Sequence, residues 1–89
     1  MIKRIAVLVS GGGTNLQALI DAQKSGIIEN GEIVLVISNK AGAYALERAA
    51  NAGIKTETVI KKETPDFEGK LIELLEENGI DVIVLAGFM

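Results

Sequence analysis

The chain has 89 residues, no cysteine, no histidine and a formal net charge of −3. That length makes it one domain with a modest core. The missing cysteines exclude disulfides and thiolate metal sites and suit the cytoplasm. The acidic balance argues against nucleic acid, no apolar run approaches the ~20 residues of a membrane span, and the N-terminal apolar run is too short for a signal peptide.

Ile5 to Val9 is a continuous apolar run, as expected of a parallel strand covered on both faces. Lys3 and Arg4 read as solvated charges flanking its start. Gly11, Gly12 and Gly13 follow the strand; they permit a sharp turn and close approach by another group. Thr14, with Gln17 three residues on, makes a capping-box pattern. A helix is therefore expected from about Asn15 to Ser25, with Leu16, Leu19, Ile20 and Ala22 toward the sheet. A helix start carries unpaired N–H groups and partial positive charge. A glycine loop leading into it suits an anion, most often a phosphate, although the same pattern also serves as a bare turn. It is not a Walker loop, because no lysine stands near. It is not the dinucleotide fingerprint either: Leu16 occupies the place of the third glycine, and Ser38 and Asn39 stand where an acidic residue is needed.

The second strand is expected over Ile33 to Ser38 and a second helix over Ala43 to Ala52, with Leu46, Ala49 and Ala50 allowing close packing. Lys55 to Ile60 alternates polar and apolar residues, as an edge strand does. Lys61 to Glu63 is a charged loop. Thr64-Pro65-Asp66 opens a third helix, with Thr64 as cap and Pro65 in the first helical position. Phe67, Leu71, Leu74 and Leu75 form its apolar stripe; Glu68, Glu73, Glu76 and Glu77 form a solvated face rather than a catalytic carboxylate pair. Asp81 to Ala86 is the fourth strand. Gly26-Ile27, Gly53-Ile54 and Gly79-Ile80 each follow a helical pattern and precede a strand-like run, the mark of a Schellman terminus.

These are successive βα units. Right-handed crossovers give an α/β fold: a Rossmann-like open parallel sheet of strand order 3-2-1-4 with helices on both faces. The chain reverses across the sheet between strands one and four, and ligands of such sheets bind at that switch point. The glycine loop and Gly87 both open onto it.

Ser-Gly-Gly-Gly-Thr-Asn-Leu-Gln at 10–17 resembles the phosphate loop of the phosphoribosylglycinamide formyltransferase family (glycinamide ribonucleotide transformylases). Ile-Ser-Asn-Lys at 37–40, Leu-Glu-Arg-Ala at 46–49 and Val-Leu-Ala-Gly-Phe-Met at 84–89 match the same family in the same order. The resemblance implies formyl transfer from 10-formyltetrahydrofolate, as cosubstrate, to the amine of glycinamide ribonucleotide in purine biosynthesis, without a metal. It implies that Gly11, Gly12, Gly13, Thr14 and Asn15 hold the phosphate, with Gly87 leaving room for substrate. Leu85, Phe88 and Met89 resemble the beginning of the family's folate pocket and serve equally well as core. The family's catalytic asparagine, histidine and aspartate have no counterpart here. Residues 1–89 therefore read as a single N-terminal phosphoribosyl-binding subdomain, truncated before the catalytic segment and holding no catalytic residue. The family often carries an arginine near the start of the third helix; Lys61, Lys62, Glu63 and Thr64 stand there instead.

The expected partners are glycinamide ribonucleotide or another phosphoribosyl ligand, with no membrane and no nucleic acid. Strand 81–86 lacks a neighbour on its far side and is expected to pair with itself or with a C-terminal fragment. The alternative is a free-standing phosphate-binding or structural module without catalysis.

Overall fold

A computed structural model describes residues 2–10, 14–26, 30–40 and 42–86, with the backbone alone at positions 14, 15 and 61. Four parallel strands, β1 (Lys3–Val9), β2 (Gly31–Ser38), β3 (Lys55–Thr58) and β4 (Val82–Ala86), lie in the order β3-β2-β1-β4. Between them run α1 (Thr14–Lys24), α2 (Tyr44–Asn51), a 3-10 turn (Lys61–Glu63) and α3 (Phe67–Glu77). The order and the parallel sense are those expected from the sequence.

The helices divide between the two faces. Leu16 and Ile20 of α1 and Ala45 and Ala49 of α2 pack with Val7, Val9, Ile33 and Val36. Leu74, backed by Phe67, Leu71 and Leu75, packs α3 on the other face against Ala6, Leu8, Leu35 and Ile37. Both faces of β1 are thus covered, which explains its unbroken apolar sequence. Truncating Leu16 or Ile20, each at most 1% exposed, to alanine should cost about 2–5 kcal/mol.

One irregularity sets the register. Ile5 pairs with Ile33, yet Ala6 pairs with Leu35, so Val34 is an extra residue in β2. The bulge keeps Ile33 and Val36 together on the α1 and α2 face although they are three apart in sequence. An all-apolar strand gives no alternation from which to read this.

At α2 and α3 the helix ends follow the glycine pattern in detail, whereas Ile27 of the Gly26-Ile27 pair lies outside the described residues. Ile54 N–H donates to Ala49 O at 2.9 Å and Gly53 N–H to Ala50 O at 3.0 Å. Ile80 donates to Leu75 O at 3.0 Å and Gly79 to Glu76 O at 3.1 Å. These are paired Schellman bonds, with Gly53 and Gly79 at φ +76° and +61°.

Four local expectations are corrected. Thr14 is the first helical residue of α1 rather than its cap. Ala50 is exposed; Ala45 is the second small residue that seats α2. Asp66, not Thr64, caps α3: its Oδ1 accepts from Gly69 N–H at 3.2 Å. The chain turns at residues 65–66, so the helix begins two residues later than the Thr-Pro pattern suggests. Arg4 is more than a solvated flank, since its Nε donates to Asn78 O at 2.8 Å. The acidic face of α3, Glu68, Glu73, Glu76 and Glu77, is exposed as expected.

Candidate functional site

The switch point lies at the carboxyl ends of β1 and β4. These strands pair in parallel from Ile5–Val82 to Leu8–Leu85 and end side by side. From β1 the chain leaves through α1 on one face; it reaches β4 through α3 on the other. The strand order therefore reverses between β1 and β4, and the crevice expected at such a reversal is the usual ligand position in these sheets.

The expected phosphate residues Gly11, Gly12 and Gly13 lie outside the described residues, as do Gly87, Phe88 and Met89. So do the side chains of Thr14 and Asn15. Their backbones are described and form the first turn of α1, at the carboxyl end of β1. The first N–H groups of a helix have no partner within it. A ligand anion in the crevice would meet donors and partial positive charge there.

The floor of this end is held by main-chain and hydroxyl bonds. Asn39 N–H donates to Val9 O at 3.2 Å, closing the end of β2 onto β1, and Val59 N–H donates to Ser38 O at 2.9 Å. Ser38, fully buried, donates its hydroxyl to Lys40 O at 2.9 Å and accepts from Lys40 N–H at 3.0 Å. The backbone after β2 thereby folds on itself in a tight turn. The Ile-Ser-Asn-Lys wording at 37–40 serves this turn.

Two helices meet beside it. Arg48 Nη1 of α2 donates to Gln17 Oε1 of α1 at 3.2 Å, across 31 residues of sequence. The Gln17 amide nitrogen donates to Asp21 Oδ1 at 3.0 Å. The capping-box partner is therefore engaged along and across the helices. The Arg48 guanidinium lies 4.6 Å from the centre of the Tyr44 ring. This group did not emerge as a unit from sequence, although Gln17 and Arg48 belong to two of the matched motifs.

Of the two readings of Leu85, pocket wall or core, the structure removes the second. Leu85 is 65% exposed, on the α3 side of β4, so it is not a core residue. Ile83, two residues earlier on the same face, is 50% exposed. α3 covers β1 and β2 and leaves this part of β4 open.

A family model described as formyl transferase matches residues 3–89. This chain belongs to the formyl transferase family. It is 50% identical over 88 residues to phosphoribosylglycinamide formyltransferase of Escherichia coli, covering 96% of this chain and 41% of that relative. It is 53% identical over 91 residues to the trifunctional purine biosynthetic protein adenosine-3 of Drosophila pseudoobscura pseudoobscura, covering 98% of this chain and 7% of that one. Among solved structures, glycinamide ribonucleotide transformylase 1 from Geobacillus kaustophilus superimposes with a TM-score of 0.94 at 37% identity, covering all of this chain and 48% of that one. Phosphoribosylglycinamide formyltransferase from Coxiella burnetii, in complex with CHES, gives 0.92 at 46% identity, covering 100% and 43%. This formyl transferase chain thus spans less than half the length of each of these four proteins. The resemblance read from its four motifs is borne out, and its sheet is that of the family.

Proposed function

We propose that residues 1–89 form the phosphoribosyl-binding N-terminal subdomain of a phosphoribosylglycinamide formyltransferase. In this reading Gly11, Gly12, Gly13, Thr14 and Asn15 hold the phosphate of glycinamide ribonucleotide, and Gly87 leaves space for the rest of it. The observation that supports the reading is that the end of β1 and the start of α1, which flank the glycine run in sequence, lie at the switch point of a sheet that superimposes on ribonucleotide transformylases.

Formyl transfer requires a base for the attacking amine and donors for the tetrahedral oxyanion. The 89 residues contain no histidine, and the acidic face of α3 points to solvent. The catalytic asparagine, histidine and aspartate accordingly belong to a segment outside these residues. The chain's own part is to bind and orient the ribonucleotide. The one-carbon unit comes from 10-formyltetrahydrofolate; exposed Leu85, with Phe88 and Met89, contributes the first wall of its pocket, and no metal is required. The setting is the cytoplasm, with which a cysteine-free chain is compatible.

The edge of β4 completes the proposal. Val82, Ile83 and Leu85 are 39%, 50% and 65% exposed on an outermost strand. Such an edge pairs with a further strand, from a second copy or from a C-terminal fragment.

Calorimetric titration with glycinamide ribonucleotide tests the reading. Saturable binding that inorganic phosphate displaces is expected. Absence of binding would leave a structural module.

A further inference from the structure

We propose that Arg48 is a positioning residue for ribonucleotide binding: from α2 it holds Gln17, and through Gln17 the first turn of α1, at the orientation the phosphate needs. The inference rests on the phosphate-binding reading above and adds the residue that tunes it.

The first turn of α1 is set from two sides. Beneath it, Leu16 is fully buried and packs in the same cluster as Ala45 and Ala49 of α2. Those alanines let the two helices approach closely. Above it, Gln17 is gripped at both ends of its carboxamide, by Arg48 at 3.2 Å and by Asp21 at 3.0 Å. Leu16 fixes the depth of the helix. Ile20 and Leu19, one turn on, seat the same face of the helix, and the bond from Arg48 adds a directional polar restraint at its first turn.

Arg48 is itself prepared for this. Its guanidinium is stacked 4.6 Å from the Tyr44 ring, one helical turn earlier on α2. Stacking restricts the guanidinium plane before Gln17 is engaged, so less entropy is lost in making the bond. Gln17 is the fourth residue of α1, so the bond acts within the first turn, whose N–H groups have no partner inside the helix. Directional donors lose most of their value when displaced by about 1 Å.

The test uses the full-length protein with Arg48→Met, Arg48→Lys and Gln17→Ala. The readouts are ribonucleotide affinity by calorimetry, KM for 10-formyltetrahydrofolate, and Tm. Each variant should weaken ribonucleotide binding about tenfold, the order expected when one hydrogen bond involving a charged group is lost. Arg48→Lys should not rescue, because it keeps the charge but loses the fork and the stack. The double variant Gln17→Ala/Arg48→Met should be no weaker than either single, since both remove one interaction. KM for the formyl donor should stay unchanged. Unchanged ribonucleotide affinity in Arg48→Met overturns the inference while leaving the phosphate reading intact. Equal losses for both ligands that follow Tm overturn it in favour of simple helix packing. A wild-type protein that binds no ribonucleotide removes the phosphate reading and the inference with it.

Discussion

Arg4 and Asp81 are locked by two reciprocal bonds across the sheet. The Arg4 amide donates to Asp81 Oδ2 at 2.9 Å, and the Asp81 amide donates to Arg4 O at 2.8 Å. The Arg4 side chain reaches on to the Asn78 carbonyl at the end of α3. This clasp sits at the amino end of the sheet, opposite the crevice. It fixes where β4 starts against β1, and hence where the two strands end.

Asp81→Ala should therefore lower stability by about 1 kcal/mol, the usual worth of one such bond. Asp81→Asn keeps an acceptor and should lose less. Urea unfolding reads this as a lower midpoint at constant slope. Equal midpoints for wild type and Asp81→Ala would mean that strand pairing alone sets the register.

The cap of α3 gives a sharper comparison. Asp66→Ala should cost about 1 kcal/mol, whereas Thr64→Ala should fall within about 0.5 kcal/mol of wild type. The reverse ranking would restore Thr64 as the cap. Gly69→Ala would bring its Cβ against the Asp66 carboxylate, so the usual helix gain should be offset by disturbance of the cap.

The glycine loop is tested by Gly13→Val. A branched side chain should block backbone approach to the phosphate and abolish ribonucleotide binding. Calorimetry showing equal affinity in both proteins would make the loop a turn only.

At β4 the two neighbouring apolar positions should behave differently. Ile83 is half exposed on the α3 side, while Val84 packs into the core beneath α1 and α2. Ile83→Lys should leave the fold intact and suppress self-association, because a lysine blunts an open edge. Val84→Lys should unfold the domain by burying a charge. Light scattering over a dilution series, with circular dichroism to follow folding, separates the two. A folded wild-type monomer at high micromolar concentration would show that the edge does not self-pair.

Much of the architecture was legible without coordinates because it rests on local patterns. The apolar run at Ile5–Val9, the glycines closing α2 and α3, and the stripe Phe67, Leu71, Leu74, Leu75 each report backbone preference within one turn or one strand. The handedness of βα crossovers, with the half-polar third strand at an edge and the most apolar strands one and four side by side, then points to the order β3-β2-β1-β4. The wording at 10–17, 37–40, 46–49 and 84–89 was enough for the family. Tertiary structure decided what depends on two distant elements meeting. Val34 becomes a bulge only because β1 and β2 must both present apolar faces to different helices. Asp66 displaces Thr64 as the cap because the chain still turns at 65 and 66 after the 3-10 turn, so α3 starts only at Phe67. Arg48 finds Gln17, and Arg4 finds Asp81, only once packing brings them together from 31 and 77 residues apart. Periodicity describes a segment's own surfaces. Which side chains face each other across two segments is set by the depth, angle and register at which those surfaces pack.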